Sequence, residues 1–232
     1  MDALFKDLEF AFRSLWKRPA FTAVAVITLM LAIGVNTTIF SIVNAVLLRA
    51  LPFRAPEQLV AIYKPATGDG LPGLAAYQYL AWRERQTNFE DLAAFSEDNF
   101  NLTGLGEPQR ISCSQVSASL FNTLGVQPIR GRAFLEEEDK PNTNNVAIIS
   151  EAFWQKHYGG NESVLGSTLT LDDKPYRIVG VMPGAFRFPG EFDVWLPLAL
   201  DPVKEFHGEY FSLVEVIGRL KPNTNMQSAQ TE

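Results

Sequence analysis

Between Pro19 and Leu48 the sequence contains no Asp, Glu, Lys, Arg or His. The 29 residues from Ala20 to Leu48, AFTAVAVITLMLAIGVNTTIFSIVNAVLL, make a helix of about 43 Å at a rise of 1.5 Å per residue. A bilayer core is crossed by about 20 apolar residues, or about 30 Å, so this run spans it with length to spare. Backbone amides inside hydrocarbon must be satisfied within the segment, which forces a helix. A cleavable signal has an apolar region of about 7–15 residues followed by a small-residue cleavage site. Here Arg49 and Leu51-Pro52-Phe53 follow instead. The segment reads as a retained membrane anchor.

Flanking charge sets the expected orientation. Lys6, Arg13, Lys17 and Arg18 precede the anchor, against Arg49, Arg54 and Lys64 after it. Positive-inside bias places the N-terminus in the cytoplasm, by a narrow margin, and the rest of the chain outside it. Within Asp2 to Lys17, Leu4, Leu8, Phe12 and Leu15 recur at helical spacing, with Phe5 and Trp16 beside them. That pattern predicts an amphipathic helix, suited to lie in the headgroup layer or against a cytosolic partner.

The second half of the anchor carries Gly34, Thr38, Ser41 and Ala45, spaced four, three and four residues apart. Asn36 and Asn44 add amides that lipid does not satisfy. Small stripes allow membrane helices to approach closely, and amides bond between them. These four residues are therefore candidates for helix packing, with protrusion of the last turns into water as the other reading.

The remaining residues are polar and turn-rich, enough for one sizeable core or two small ones. Strands are predicted at Gln58–Lys64, within Phe89–Leu102, at Arg110–Val116, Asn145–Ser150, Ser167–Leu171, Tyr176–Met182 and Tyr210–Leu220. The last of these alternates cleanly. Helices are predicted at Leu74–Gln86, at Ala118–Leu124 with Ser117 as N-cap and Gly125 as its end, and at Glu151–Tyr158, stopped by Gly159-Gly160. Asp172-Asp173-Lys174 is the turn of a hairpin, and Pro183, Pro189 and Pro197 punctuate a loop. Asn223–Glu232 is polar and begins what reads as another helix. Helices and strands without a βαβ rhythm indicate an α+β fold. The expected organisation is a cytoplasmic amphipathic helix (1–18), a transmembrane helix and stalk (19–49), and an extracytoplasmic domain of mixed helices and strands (50–232).

Chemistry is sparse. One cysteine excludes an internal disulfide framework and a cysteine-based zinc cluster. Net charge −6 without a basic stripe argues against nucleic acid. The phosphate loop G-x-x-x-x-G-K-[ST] and the H-E-x-x-H and G-x-S-x-G patterns are all missing. His157 and His207 are fifty residues apart, the first on a short helix and the second in a loop. The run Glu136-Glu137-Glu138-Asp139 lacks the alternating ligands and turn glycine of a calcium loop, so it reads as a solvated helix start or turn. Cys113 reads as a small buried side chain. No catalytic residue, cofactor or metal is assigned, and the chain is not an enzyme by itself.

Several stretches resemble one family. The anchor ending in FSIVNAVLLRALPF resembles the start of a MacB-like, FtsX-related ABC-transporter permease. So do Ala76–Phe95 (AYQYLAWRERQTNFEDLAAF), Asn101–Gly104 (NLTG) and Val116–Phe134 (VSASLFNTLGVQPIRGRAF). Val146–Gly160 (VAIISEAFWQKHYGG), Pro175–Pro183 (PYRIVGVMP), VWLPLAL and Arg219–Pro222 (RLKP) follow in the same order. The resemblance implies a first transmembrane helix, a periplasmic core domain and three further membrane helices, in the inner membrane of a bacterium. It also implies an ABC ATPase on a separate chain, a permease homodimer and a periplasmic adaptor protein as partners. The chain ends in polar sequence at Gln230-Thr231-Glu232, before a second apolar segment, and so reads as the front part of a permease whose carboxy-terminal membrane domain is missing. The residues alone are also served by a single-pass anchored binding or sensor module. An anchored hydrolase has no candidate triad.

Overall fold

The computed structural model describes residues 16–43, 53–63, 73–207, 212–222 and 224. The chain divides into two units, Met1–Pro52 and Phe53–Glu232. In the first, α1 (Pro19–Val43) is one helix of 25 residues, about 37 Å long. Phe21, Ile27, Leu29, Met30, Leu31, Ile33, Ile39 and Phe40 are all more than half exposed, and the helix is apolar all round. Such a helix is at home in a membrane and not on a water-facing surface. The proposed amphipathic helix lies outside the described residues, except for Trp16 and Lys17.

The second unit is α+β. Its strands are β1 (Leu59–Ile62), β2 (Leu74–Ala75), β3 (Phe89–Thr103), β4 (Gln109–Val116) and β5 (Arg130–Gly131), then β6 (Val146–Ser150), β7 (Thr168–Leu171), β8 (Lys174–Met182), β9 (Val194–Pro197) and β10 (Leu213–Leu220). Its helices are α2 (Ala76–Arg85), α3 (Leu120–Leu124), α4 (Glu151–Tyr158) and α5 (Pro202–His207). All ten strands join one mixed sheet ordered β1-β10-β3-β4-β9-β6-β8-β5. Most pairs are antiparallel, with β4–β9 and β6–β8 parallel. β7 bonds both β3 and β8, so β3, β4, β9, β6, β8 and β7 close a ring.

Alternation, changed in phase once on β8 by an irregularity in its pairing with β6, divides the core between the two faces of these strands. Ile111, Cys113, Ala147, Ile149, Ile178, Val181, Val194 and Leu196 face one cluster, which Phe153 and Trp154 of α4 complete. Val116, Ile148, Val179, Met182 and Trp195 face the other, closed by Leu120, Phe121 and Leu124 of α3 with Phe134 and Phe186. A third cluster lies where Tyr79 of α2 packs with Leu92, Ala94, Val214 and Val216. The long strand β3 contributes to all three, through Ala93, Leu92 and Leu102.

Local signals produced much of this. Ser150 Oγ accepts from Phe153 N at 3.0 Å and caps α4. Gly125 ends α3 at φ 71°. The β7–β8 hairpin turns on Asp172 and Asp173, both at positive φ, as a two-residue turn of matching twist requires. Asp172 Oδ1 also accepts from Asn101 N and Nδ2, at 3.0 and 2.7 Å, and so pins the turn to β3.

Other expectations are corrected. Leu74 and Ala75 form β2 against β10 before the helix begins. Ser117 does not cap α3, because Ala94 N donates to its hydroxyl at 3.0 Å from across the sheet, and the helix starts at Leu120. Lys174 belongs to β8 and Pro197 to β9. His207 ends the helix α5, where its Nδ1 lies 2.6 Å from Val203 O. The alternation expected of β10 gives way to burial on both faces from Val216 to Leu220. The reason is a packed cluster on each face: Val216 and Leu220 lie in the cluster with Tyr79 of α2, and Ile217 in the one closed by α3.

Candidate functional site

Gly34, Thr38 and Ser41 stand on one face of α1, as positions i, i+4 and i+7 must. Ala45 and Asn44 lie outside the described residues. Thr38 Oγ1 donates to Gly34 O at 2.8 Å, and Thr28 Oγ1 donates to Val24 O at 2.8 Å. These hydroxyls are satisfied inside the helix, as lipid requires. A Cβ added at Gly34 meets no atom within 4 Å. The missing side chain leaves a shallow apolar groove walled by Met30, Leu31, Val35 and Ile39, with Thr38 at one end.

Among the described residues of the second unit, the histidines and the cysteine stand apart from one another. No group of three His, Cys, Asp or Glu among the described residues is placed to hold a metal ion. His157 stacks on Phe153 with ring centres 4.3 Å apart, and burial lowers its pKa. The Cys113 thiol is fully buried, and burial, helped by the charges of Asp193, Asp98 and Asp172, pushes its pKa up to about 12. It is not a nucleophile at neutral pH.

The acidic run, expected to be solvated, is partly structural. Glu136 and Glu137 are exposed, but Glu138 holds both Arg132 Nη1 and Nη2, at 2.7 and 2.6 Å, and accepts from Leu135 N at 3.0 Å. Asp139 accepts from Ala118 N at 2.9 Å and from Ala199 N at 2.7 Å. One carboxylate thus ties the turn to the approach of α3 and to the end of β9. Nothing in the spacing of the run announces these partners, since the two amides lie 21 and 60 residues away.

The two neighbours titrate in opposite senses. The Arg132 guanidinium holds Glu138 below its ordinary value of 4.5. Its stabilisation is therefore complete above the unfolded value and is lost as pH falls through the lower folded one. Burial raises Asp139 above its ordinary 3.8, against the pull of the Ala199 and Ala118 amides. The folded state then takes up that proton first, and stability gains as pH falls through the window above 3.8. Urea midpoints followed from about pH 6 to about pH 3 should show Glu138→Gln flattening the acid-side loss and Asp139→Asn steepening it. Parallel slopes in the two variants would refute the assignment. Asp139→Asn should also lose about 1–3 kcal/mol at neutral pH, because an amide nitrogen then faces a buried N–H.

Residues 22–232 match the sequence profile of the MacB-like periplasmic core domain. The chain belongs to this family. The MacB-like core fold is also found in solved structures. The periplasmic region of MacB from Actinobacillus actinomycetemcomitans superposes with a TM-score of 0.57 at 14% identity, over 75% of this chain and 78% of that one. The extracellular domain of the noncanonic ABC-type transporter YknZ from Gram-positive bacteria gives 0.54 at 13% identity, over 73% and 87%. A domain assigned to a permease protein from Porphyromonas gingivalis gives 0.56 at 16% identity, over 78% and 80%. At these identities the likeness is one of fold. No curated protein matches the sequence. The α+β reading and the family resemblance both hold: one N-terminal apolar helix of membrane-spanning length accompanies a MacB-like core domain.

Proposed function

We propose that this chain is the N-terminal part of an ABC-transporter permease subunit. It couples ATP hydrolysis on a separate ATPase chain to conformational change in its own periplasmic domain, for export or release of a substrate. The N-terminus is cytoplasmic, the anchor lies in the bacterial inner membrane, and the permease works as a homodimer that engages a periplasmic adaptor. The observation that carries this reading is the joining, in one chain, of a MacB-like core domain to an apolar helix whose small-residue face is open. The mechanism is mechanical: force generated on the ATPase chain reaches the periplasmic domain through packed membrane helices.

The test is purification of the native protein from its own membranes. An ABC ATPase should copurify, and cysteines placed along the Gly34 face should crosslink to a neighbouring membrane helix. Failure of both would leave a single-pass anchored module that works alone. Gly34→Leu with Ser41→Leu should insert normally, since both changes add apolar surface and a Cβ at Gly34 has open space, yet reduce crosslinking about ten-fold. Undiminished crosslinking in that variant would remove the small-residue face from the interface.

A further inference from the structure

The stretch Arg219-Leu220-Lys221-Pro222 closes β10, and both of its cations donate to main-chain carbonyls far away in sequence. Arg219 is only 1% exposed. Its Nε donates to Thr123 O at 2.8 Å and its Nη1 to Ala55 O at 3.2 Å. Its Nη2 has no partner among the described residues. Lys221 Nζ donates to Thr87 O at 2.6 Å, and its N–H donates to Asn88 O at 3.0 Å. One short run thus reaches the start of the domain, the end of α3 and the turn before β3.

The segment that begins the domain is fixed to the same place from its own side. Arg54 N donates to Leu124 O at 3.3 Å, and the Arg54 side chain pairs with Glu90 at 3.0 Å. A Cβ on Gly125, which sits at φ 71°, would lie 2.6 Å from Arg54 Cβ, so glycine is what lets the segment close on α3. Ala55 adopts φ 41°, a left-handed conformation that a non-glycine residue keeps only where its surroundings impose it. Its carbonyl is the one that Arg219 takes. Immediately afterwards Leu59 of β1 pairs with Arg219 itself.

We propose that Arg219 is the positioning residue of a lock that fastens Phe53–Gln58 to β10 and α3, so that the start of the domain and β10 move as one body. A side chain needed only to fill a buried strand position would be apolar, like Val214 and Val216 on the same strand. Burying a guanidinium on carbonyls, with Glu90 and Glu57 acting on it only from beyond hydrogen-bond reach, is unfavourable, so stability alone does not account for it. Its shape does. A planar fork presents donors to two carbonyls at once, whereas a lysine ammonium is a single point. The Thr123 carbonyl, in the last turn of α3, is one that a helix leaves unsatisfied.

Hydrogen exchange on the full chain in detergent micelles tests the lock, comparing wild type with Arg219→Met and Arg219→Lys. Methionine keeps an unbranched aliphatic chain and removes every donor. In Arg219→Met, amides of residues 54–62 and 120–126 should exchange about ten-fold faster, with those of β6 and β8 unchanged. Arg219→Lys should fall between, because one ammonium recovers one carbonyl. Wild-type protection in both segments would overturn the lock. So would uniform acceleration that includes β6 and β8, which would make Arg219 a general core residue. The lock is independent of the coupling reading: the lack of a copurifying ATPase would end that reading and leave the exchange result standing.

Discussion

Gly131→Ala should unfold the domain at markedly lower urea, with a loss of about 3–4 kcal/mol. Gly131 lies on β5 opposite Gly180 of β8, and the two strands meet backbone to backbone. A Cβ on Gly131 would sit 2.1 Å from Val179 O, and one on Gly180 would sit 2.5 Å from Arg132 O. Those oxygens have little freedom to move. Val179 O accepts from Arg132 N at 3.0 Å, and Val181 O accepts from Ile129 N at 2.8 Å, so yielding breaks the pairing of β5. The φ of 71° at Gly131 adds about 1–2 kcal/mol for any residue with a Cβ. Gly159→Ala separates the two effects. It has φ 59° and nothing within 4 Å of the added carbon, so it should lose only about 1 kcal/mol. Equal losses at the two glycines, in urea titrations of the full chain in micelles, would dismiss the close approach as the cause.

What the sequence discloses and what it hides divide along contact range. The helix α4 is legible because its cap, Ser150, and its stop, Gly159, lie within the segment. The β7–β8 hairpin is legible for the same reason, its two aspartates standing between two alternating runs. Ser117 is misread because the proton it accepts belongs to Ala94, across the sheet. The acidic run is a turn with Glu136 and Glu137 exposed, as expected, but the structural half is hidden because the amides that fix Asp139 come from Ala118 and Ala199. Arg219 looks like an ordinary outward residue of an alternating strand, and it is buried because α3 and the segment around Ala55 cover that face, where it donates to Thr123 O and Ala55 O. The face of α1 is half legible. Helical spacing aligns Gly34, Thr38 and Ser41, while the groove around them becomes visible only with the neighbouring side chains in place.

Trp195 marks the other kind of omission and carries the second large effect. It lies on β9, four residues between prolines that read as loop, with no local pattern to announce a strand. The strand exists because β4 pairs with it in parallel and β6 in antiparallel fashion, setting Trp195 opposite Ser114 and Ile148. There the indole is 1% exposed, 5.3 Å from the Phe186 ring at 56°, and its Nε1 donates to Phe188 O at 3.4 Å. Trp195→Ala removes the largest fully buried side chain among the described residues and opens a cavity between β9 and the loop holding Phe186 and Phe188, at a loss of about 3–5 kcal/mol. Trp195→Phe refills part of that volume and gives up only the long hydrogen bond, so it should lose about half as much. Urea unfolding of the full chain in micelles, followed by far-ultraviolet circular dichroism, reads both. If packing around this ring holds β9 between its neighbours, amides of β9 should lose protection in the alanine variant before those of β3 and β10. A variant that keeps wild-type stability would mean that β9 is held by its backbone pairing alone.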